Sequence, residues 1–304
     1  MDYIVYQADA FTNKRFGGNP AAVVPNAKGL EEITMQQIAK EMNLSETAFV
    51  FPMDERGDQY EVRFFTPQKE VALCGHATVA TFHVLYEKGY IKRQSRPTIL
   101  KQRTKAGLLK VYLDVSQGKL QKVMMEQALP EIINHEFNQV ELCNILGIKV
   151  ADMGINEIKV KPQIISTGLR DIIVPIKSLE VLKKMKIDME KLSQYSKKVG
   201  VVGLHAFTLE TMDKRNTAHC RNFAPAVGIN EESATGTANG ALAVFLAANE
   251  IISIKEEKNL IFEQGYFMDR PSTIHCTIKR DQDNYSVNVG GQAVIVLEGV
   301  LKFP

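Results

Sequence analysis

One acid in this sequence is well placed for proton transfer. Glu46 stands between a polar turn and an apolar run, in Asn43-Leu44-Ser45-Glu46-Thr47-Ala48-Phe49-Val50-Phe51. Partial burial at the head of such a strand raises a carboxyl's pKa, which suits a group that takes a proton from carbon and returns it elsewhere. The plainer reading is an exposed glutamate at a strand end. His76 follows a glycine in Leu73-Cys74-Gly75-His76-Ala77-Thr78. An imidazole there can donate to, or exchange protons with, a nearby oxygen. Glu231 and Glu232 precede a second glycine turn, Thr235-Gly236-Thr237. Either one supplies a second carboxylate facing Glu46, or both complement the positive end of the helix that follows. Thr237 adds a hydroxyl. Cys74 lies where a thiolate would be stabilised. The residue matching it before Gly236 is Thr235, so a pair of thiols is not available as acid and base.

Other chemistries find no support. The four cysteines lack CxxC spacing and the six histidines form no H-x-x-x-H pair, so no metal is expected. His83, His135, His205, His219 and His275 read as structural. No GxGxxG or GxxxxGK[ST] loop is present and no lysine stands out for pyridoxal phosphate, so no cofactor is expected. A net charge of +2 from interspersed charges gives no basic block for nucleic acid. The N-terminus lacks a signal-peptide pattern, and the apolar runs are too short to span a bilayer. These features predict a cytoplasmic protein with reduced thiols and no membrane partner.

Two helices must position these groups. Residues 76–88 and 236–249 are apolar all round the helical wheel, so each is buried on every side of a globular domain. The N-terminus of such a helix points unpaired N–H groups inward and needs an anion or polar partner. Each helix follows a Phe-x-Pro (Phe65-Thr66-Pro67, Phe223-Ala224-Pro225) and opens at a glycine turn, which suggests an internal repeat about half a chain long. Strands outnumber helices and rarely alternate with them, which argues against a doubly wound parallel sheet. With 304 residues, 45% of them hydrophobic, there is core enough for two halves. The expected fold is α+β, with two pseudo-symmetric halves, each a curved, mostly antiparallel sheet or barrel round one buried helix. The halves are placed at 1–118 and 119–304, with the last strand, about 290–304, packing back on the first. If they face each other, both helix N-termini open onto one cleft, where the backbone at Gly75 and Gly236 would hold a substrate carboxylate.

The sequence resembles the PhzF-like isomerases of phenazine biosynthesis, relatives of diaminopimelate epimerase and proline racemase. The match is carried by Asp9-Ala10-Phe11 with Gly17-Gly18-Asn19-Pro20, Leu44-Ser45-Glu46-Thr47, and Phe65-Thr66-Pro67 with Cys74-Gly75-His76-Ala77-Thr78. It continues through Ser166-Thr167-Gly168, Arg221-x-Phe223-x-Pro225, Glu231 to Ala238, Glu263-Gln264-Gly265 with Arg270-Pro271-Ser272, and Gly290-Gly291-Gln292-Ala293. The resemblance implies a cofactor-independent isomerase, a homodimer, with its catalytic glutamate at Glu46 and its active-site histidine at His76. The family's Glu-Asp-Pro-Ala-Thr-Gly-Ser-Ala segment reads here with Glu232 for the aspartate, Ser233 for the proline and Thr237 for the serine. The longer acid changes reach, and with it the substrate.

The expected activity is a proton shift on a small carboxylic acid, like the isomerisation of trans-2,3-dihydro-3-hydroxyanthranilate. Glu46 is expected to be base and acid, and His76, Glu232 and Thr237 to assist. Asn19, Ser45, Gly75 and Gly236 are expected to contact substrate. Two alternatives stay open: an amino-acid racemase or epimerase using Cys74, and a non-catalytic small-molecule-binding protein on the same scaffold.

Overall fold

The computed structural model of the chain describes residues 2–53, 57–92, 96–156, 158–282 and 284–302. The chain divides into two compact units, Met1–Glu126 with Gly290–Pro304, and Gln127–Val289. The architecture is α+β, and within each unit a mostly antiparallel sheet encloses one apolar helix.

The first unit runs β1 (Tyr3–Ala10), β2 (Asn19–Val24), α1 (Glu32–Met42), β3 (Glu46–Pro52), β4 (Gln59–Phe65), β5 (Glu70–Val71), α2 (Gly75–Glu87), β6 (Thr98–Thr104), β7 (Gly107–Ser116) and β8 (Lys119–Glu126). The second runs β9 (Glu131–Ile133), α3 (Gln139–Leu146), β10 (Gln163–Ser166), β11 (Arg170–Pro175), α4 (Leu179–Lys184), α5 (Met189–Val199), β12 (Gly203–Thr208), β13 (Ala218–Ala224), β14 (Ile229–Glu232), α6 (Gly236–Ala248), β15 (Glu257–Gln264) and β16 (Ser272–Asp281). Then come β17 (Asn284–Gly291) and β18 (Ala293–Leu301).

The repeat is written in the pairings. In the first unit β1–β2 is antiparallel, β2–β3 parallel, β3–β4 antiparallel, β4–β6 parallel and β6–β7 antiparallel. In the second unit the order recurs: β10–β11 antiparallel, β11–β12 parallel, β12–β13 antiparallel, β13–β15 parallel and β15–β16 antiparallel. β18 pairs antiparallel with β1 from Tyr3↔Leu301 to Ala10↔Ala293, which ties the end of the chain to the first unit. The division expected at 118/119 falls in the β7–β8 turn. Because β8 pairs with β7 from Val111↔Met125 to Ser116↔Lys119, the first unit extends to Glu126.

Alternation along the strands decides which side chains can reach the two apolar helices. Ala22 and Val24 of β2 and Phe49 of β3 pack with Met35, Ile38 and Ala39 of α1. Their neighbours Ala21, Val23, Glu46 and Ala48 therefore face the other way, toward α2, which packs against β1, β2, β3, β8 and β18. In the second unit Ile172 and Val174 of β11, Leu204 and Ala206 of β12 and Phe223 of β13 join a core with Leu182 of α4 and Leu192 and Tyr195 of α5. Asp171 and Ile173, Gly203, His205 and Phe207, and Asn222 face the opposite side, toward α6. The edge-on contact of Phe207 with Phe245 of α6 fixes that face. Ten of the thirteen residues of α2 are buried and eleven of the thirteen of α6, as apolarity all round the wheel requires.

Candidate active site

The first unit gathers Asn19, Glu46, Cys74 and His76 at the start of α2. Glu46 opens β3 opposite Ala21 and points to the helix side. Its Oε2 lies 3.0 Å from His76 Nε2. On the other side of the ring, Nδ1 lies 3.1 Å from the Asn19 amide and 3.4 Å from Cys74 Sγ. Asn19 reaches that spot because the chain doubles back at Gly18. Its φ is +61°, and a Cβ there would stand 2.1 Å from the Ala10 carbonyl oxygen, so only glycine fits. Asp9, buried beside this turn, accepts the Phe16 N–H at 2.8 Å. No side chain caps the first turn of α2, and no acid sits there, so its leading N–H groups remain suited to an anion. Ser45 is exposed in the bend before β3, and its hydroxyl carries no hydrogen bond among the described residues.

The electrostatics correct one expectation. Burial does push the Glu46 carboxyl up, as read from the sequence. The charge and hydrogen bond of His76, with a hydrogen bond from Cys74, outweigh it and hold Glu46 below its ordinary value. Burial disfavours the imidazolium, yet Cys74 and Glu46 hold the His76 pKa well above normal. The Cys74 thiol is pushed up to about 11 by burial and then by Glu46, so at neutral pH it is a neutral donor and the support for His76 comes from Glu46. The pair is thus a buried ion pair at pH 7. Asn19 can turn either end of its amide to Nδ1, accepting from the imidazolium or donating to the neutral ring.

The second unit gathers Glu232, Thr235 and Thr237 at the start of α6. Thr235 stands at the helix N-cap as Cys74 does, and its hydroxyl donates to Glu232 Oε2 at 2.5 Å. Each unit therefore ties a carboxylate to the side chain that precedes its buried helix. Gln264 braces the arrangement: its Nε2 donates to the Glu232 carbonyl at 2.8 Å, while its Oε1 accepts from the Thr235 N–H at 3.1 Å and from Asn239 Nδ2 at 2.8 Å. Thr167 Oγ1 donates to the Thr237 carbonyl at 2.9 Å, and this explains the Ser166-Thr167-Gly168 motif as an anchor for α6. The Thr237 hydroxyl itself carries no hydrogen bond among the described residues. Of the two adjacent glutamates, Glu231 forms a two-pronged bond to Arg221, both contacts 2.8 Å, and so does not serve the helix end.

Sequence reasoning missed Asp171. It is 3% exposed at the start of β11, and burial, then the charge of Glu232, push its pKa up to about 7. The available signal was one acid opening an otherwise apolar strand, Asp171-Ile172-Ile173-Val174. The other buried histidines have structural partners. His219 Nδ1 lies 2.7 Å from Glu263, which also accepts from the Met212 and Asp213 N–H groups, and His205 Nδ1 lies 3.1 Å from Asn222 Oδ1. Contrary to the expectation from spacing, Glu46, Cys74 and His76 offer three donor atoms within 4.8 Å of one another, close enough to meet on a cation. Their hydrogen bonds to one another already account for that closeness. Spacing could not reveal the group, because the carboxylate comes from β3 and the other two from the start of α2.

The comparisons with known proteins come down on one family. The family model described as phenazine biosynthesis-like protein matches residues 8–299. An uncharacterized isomerase of Clostridium acetobutylicum is 37% identical over 98% of both chains. A Bacillus anthracis protein of the PhzF family superposes with a TM-score of 0.90 at 32% identity, covering all of both chains. A hydroxyproline epimerase from Agrobacterium vitis shares the fold, with a TM-score of 0.65 at 11% identity over 99% of this chain and 92% of its own. Among the described residues no helix is long and apolar enough to cross a membrane.

Proposed function

The chain belongs to the phenazine biosynthesis-like family and is an isomerase, and from that premise we propose that it shifts a proton on a small unsaturated carboxylic acid without a cofactor, with Glu46 as base and acid. The observation that carries the reading is the buried Glu46–His76 pair at the uncapped start of α2. An ionised Glu46 takes a proton from a carbon made acidic by conjugation, and the electron pair spreads into the unsaturated system. The same carboxyl then returns the proton at another carbon. Its depressed pKa makes it a weak base at rest. As negative charge builds on a substrate oxygen, His76 hands its proton to that oxygen and ceases to be a cation beside Glu46, and it takes the proton back as Glu46 protonates the second carbon. Glu46 becomes more basic at the moment it accepts the proton.

Asn19 orients the imidazole through Nδ1. The N–H groups at the start of α2, at Gly75, hold the substrate carboxylate, and Ser45 adds a contact beside Glu46. A positioned acid/base of this kind contributes on the order of 10²–10⁴ in rate. A racemase using two thiols is disfavoured, because Thr235 occupies the position of Cys74 and a threonine hydroxyl does not ionise near neutral pH. A screen of small unsaturated and amino carboxylic acids in D₂O tests the proposal. Deuterium entering carbon in one of them supports it. Binding without exchange across the panel favours a non-catalytic protein.

A further inference from the structure

Three side chains at the head of α2 stand at the spacing of a cation site. Cys74 is the N-cap of the helix and His76 its second residue, and Glu46 reaches them from the start of β3. His76 Nε2 lies 3.0 Å from Glu46 Oε2 and 3.8 Å from Cys74 Sγ, and the three residues offer donor atoms within 4.8 Å of one another. On a tetrahedral zinc ion, with bonds of about 2.0–2.2 Å to nitrogen and oxygen and about 2.3 Å to sulfur, neighbouring ligand atoms stand about 3.4–3.6 Å apart. Opening the first contact by about 0.4 Å and closing the second by about 0.2 Å gives that geometry. Among the described residues this is the one such group of three. Hydrogen bonds hold its atoms at this spacing, and protons occupy the place that a cation would take.

The framework around these atoms is fixed. The Cys74 carbonyl accepts from the Thr78 N–H at 3.0 Å and from the Thr78 hydroxyl at 2.8 Å, and that hydroxyl accepts from Gln102 Nε2 of β6 at 3.2 Å. On the far side of the ring the Asn19 amide lies 3.1 Å from His76 Nδ1. A histidine bound to a metal through Nε2 needs an acceptor for its Nδ1–H, and the Asn19 amide oxygen, turned to the ring, provides one. Glu46 keeps 14% of its side chain exposed, so an ion entering from solvent meets the carboxylate first. The donor set selects the metal. A thiolate favours zinc and its soft relatives over magnesium, calcium and manganese. One thiolate and one carboxylate neutralise a divalent ion, so the filled site buries no net charge. Three protein ligands leave a fourth position for water, beside the uncapped first turn of α2.

We propose that Glu46, Cys74 and His76 bind a single zinc ion, and that zinc held there shuts off the proton transfer assigned to Glu46. Zinc takes the place of two protons, one from Cys74 Sγ and one from His76 Nε2, and both pass to solvent. Burial and Glu46 keep the thiol protonated in the free protein, and the charge of a coordinated ion reverses that local balance. With its electron pair on zinc, Glu46 cannot take a proton from carbon, and His76 has none to give. The ion is an inhibitor and not a cofactor. The inhibition rests on the isomerase reading, whereas the site itself does not.

Cobalt(II) and zinc, added to the full chain after dialysis against a chelator, test the site without any substrate. Cobalt should raise a near-ultraviolet thiolate-to-cobalt charge-transfer band that saturates at one ion per chain. Zinc should abolish the band by displacement, and a large excess of magnesium should leave it unchanged. Cys74→Ala should remove the band. Asn19→Ala keeps all three ligands and should weaken zinc binding about 10–100-fold. Glu46→Gln should keep the band and weaken zinc binding at least as much. No band in the wild type, a band that survives in folded Cys74→Ala, or wild-type zinc affinity in either of the other two variants overturns the proposal. With an acid found by the D₂O screen, zinc should stop deuterium incorporation by the wild type, and a chelator should restore it. Undiminished incorporation by zinc-loaded protein would overturn the inhibition and leave the isomerase reading standing. No exchange in any acid would count against the isomerase reading, and the cobalt band would still decide whether the site exists.

Discussion

His76 Nε2 stands 3.0 Å from Glu46 Oε2, and both groups are almost sealed from solvent, at 5% and 14% exposure. The contact joins the second residue of α2 to the first residue of β3. It exists because β3 runs parallel to β2 and alternates its side chains between α1 and α2. Such a pair costs desolvation on both sides, and it persists because each group is also hydrogen-bonded by Asn19 or Cys74.

The pair should leave a mark on stability against pH. Glu46 is depressed when folded, so its contribution is present above its ordinary 4.5 and is lost as pH falls through the folded value. His76 is raised, so its contribution is complete below 6.5 and is lost as pH rises through the folded value. Urea midpoints for the wild type and His76→Gln should therefore differ most between pH 4.5 and 6.5 and converge in alkaline buffer. A constant gap across pH would mean that His76 is neutral throughout.

Cys74 should prove a helper. With its thiol held near 11, it should resist alkylation at pH 8 in the folded protein. Cys74→Ser keeps a donor to Glu46 and an acceptor for His76 and should retain most of the exchange rate, and Cys74→Ala should lose modestly. Near abolition by Cys74→Ala would instead favour an epimerase that uses the thiol as an acid.

Two glycines should respond oppositely to alanine. Gly203→Ala forces a Cβ onto the backbone of β13 and should cost about 3 kcal/mol or more in chemical denaturation. Gly75→Ala meets nothing nearer than Met125 Sδ at 3.9 Å, so the protein should fold normally. Its methyl group would crowd the approach to the first turn of α2, so KM should rise. A Gly203→Ala protein of wild-type stability would contradict the close approach of Gly203 to the Phe223 carbonyl oxygen and Ala224 Cα.

Asp171 should be a stability burden at high pH. Its pKa rises from 3.8 unfolded to about 7 folded, so between these values the folded chain holds the extra proton and stability falls as pH rises. A shift of roughly three units corresponds to about 4 kcal/mol. Asp171→Asn should gain on the wild type progressively from pH 4 to 7 and then hold its advantage, as read by urea unfolding. No pH-dependent gain would show the carboxyl to be ionised in the fold.

Much of this was legible in the residues. Apolar side chains all round residues 76–88 and 236–249 left those helices no position but a core, and the glycine turns marked their starts within a residue. Glu46 and His76 stood out by local setting. Their contact did not, because it depends on a strand pairing and links residues thirty positions apart. For the same reason the direction of the Glu46 shift was misjudged: burial can be read from an apolar neighbourhood, whereas an imidazolium arriving from another element cannot. At Cys74 the sequence suggests a stabilised thiolate, whereas burial and the Glu46 carboxylate, which comes from β3, hold the thiol protonated. Asp171 escaped notice because an acid at a strand end usually marks a turn. Only the rung it shares with Gly203 shows it to be the counterpart of Glu46.

The most direct measurement compares the wild type with Glu46→Gln in D₂O, using an acid that the wild type labels. Glutamine fills the same space and can hydrogen-bond to His76, but it cannot take a proton from carbon. Deuterium incorporation should fall by about 10²–10⁴-fold with the circular dichroism spectrum unchanged. Incorporation near the wild-type rate in a folded Glu46→Gln protein would contradict the assignment of Glu46 as the group that moves the proton.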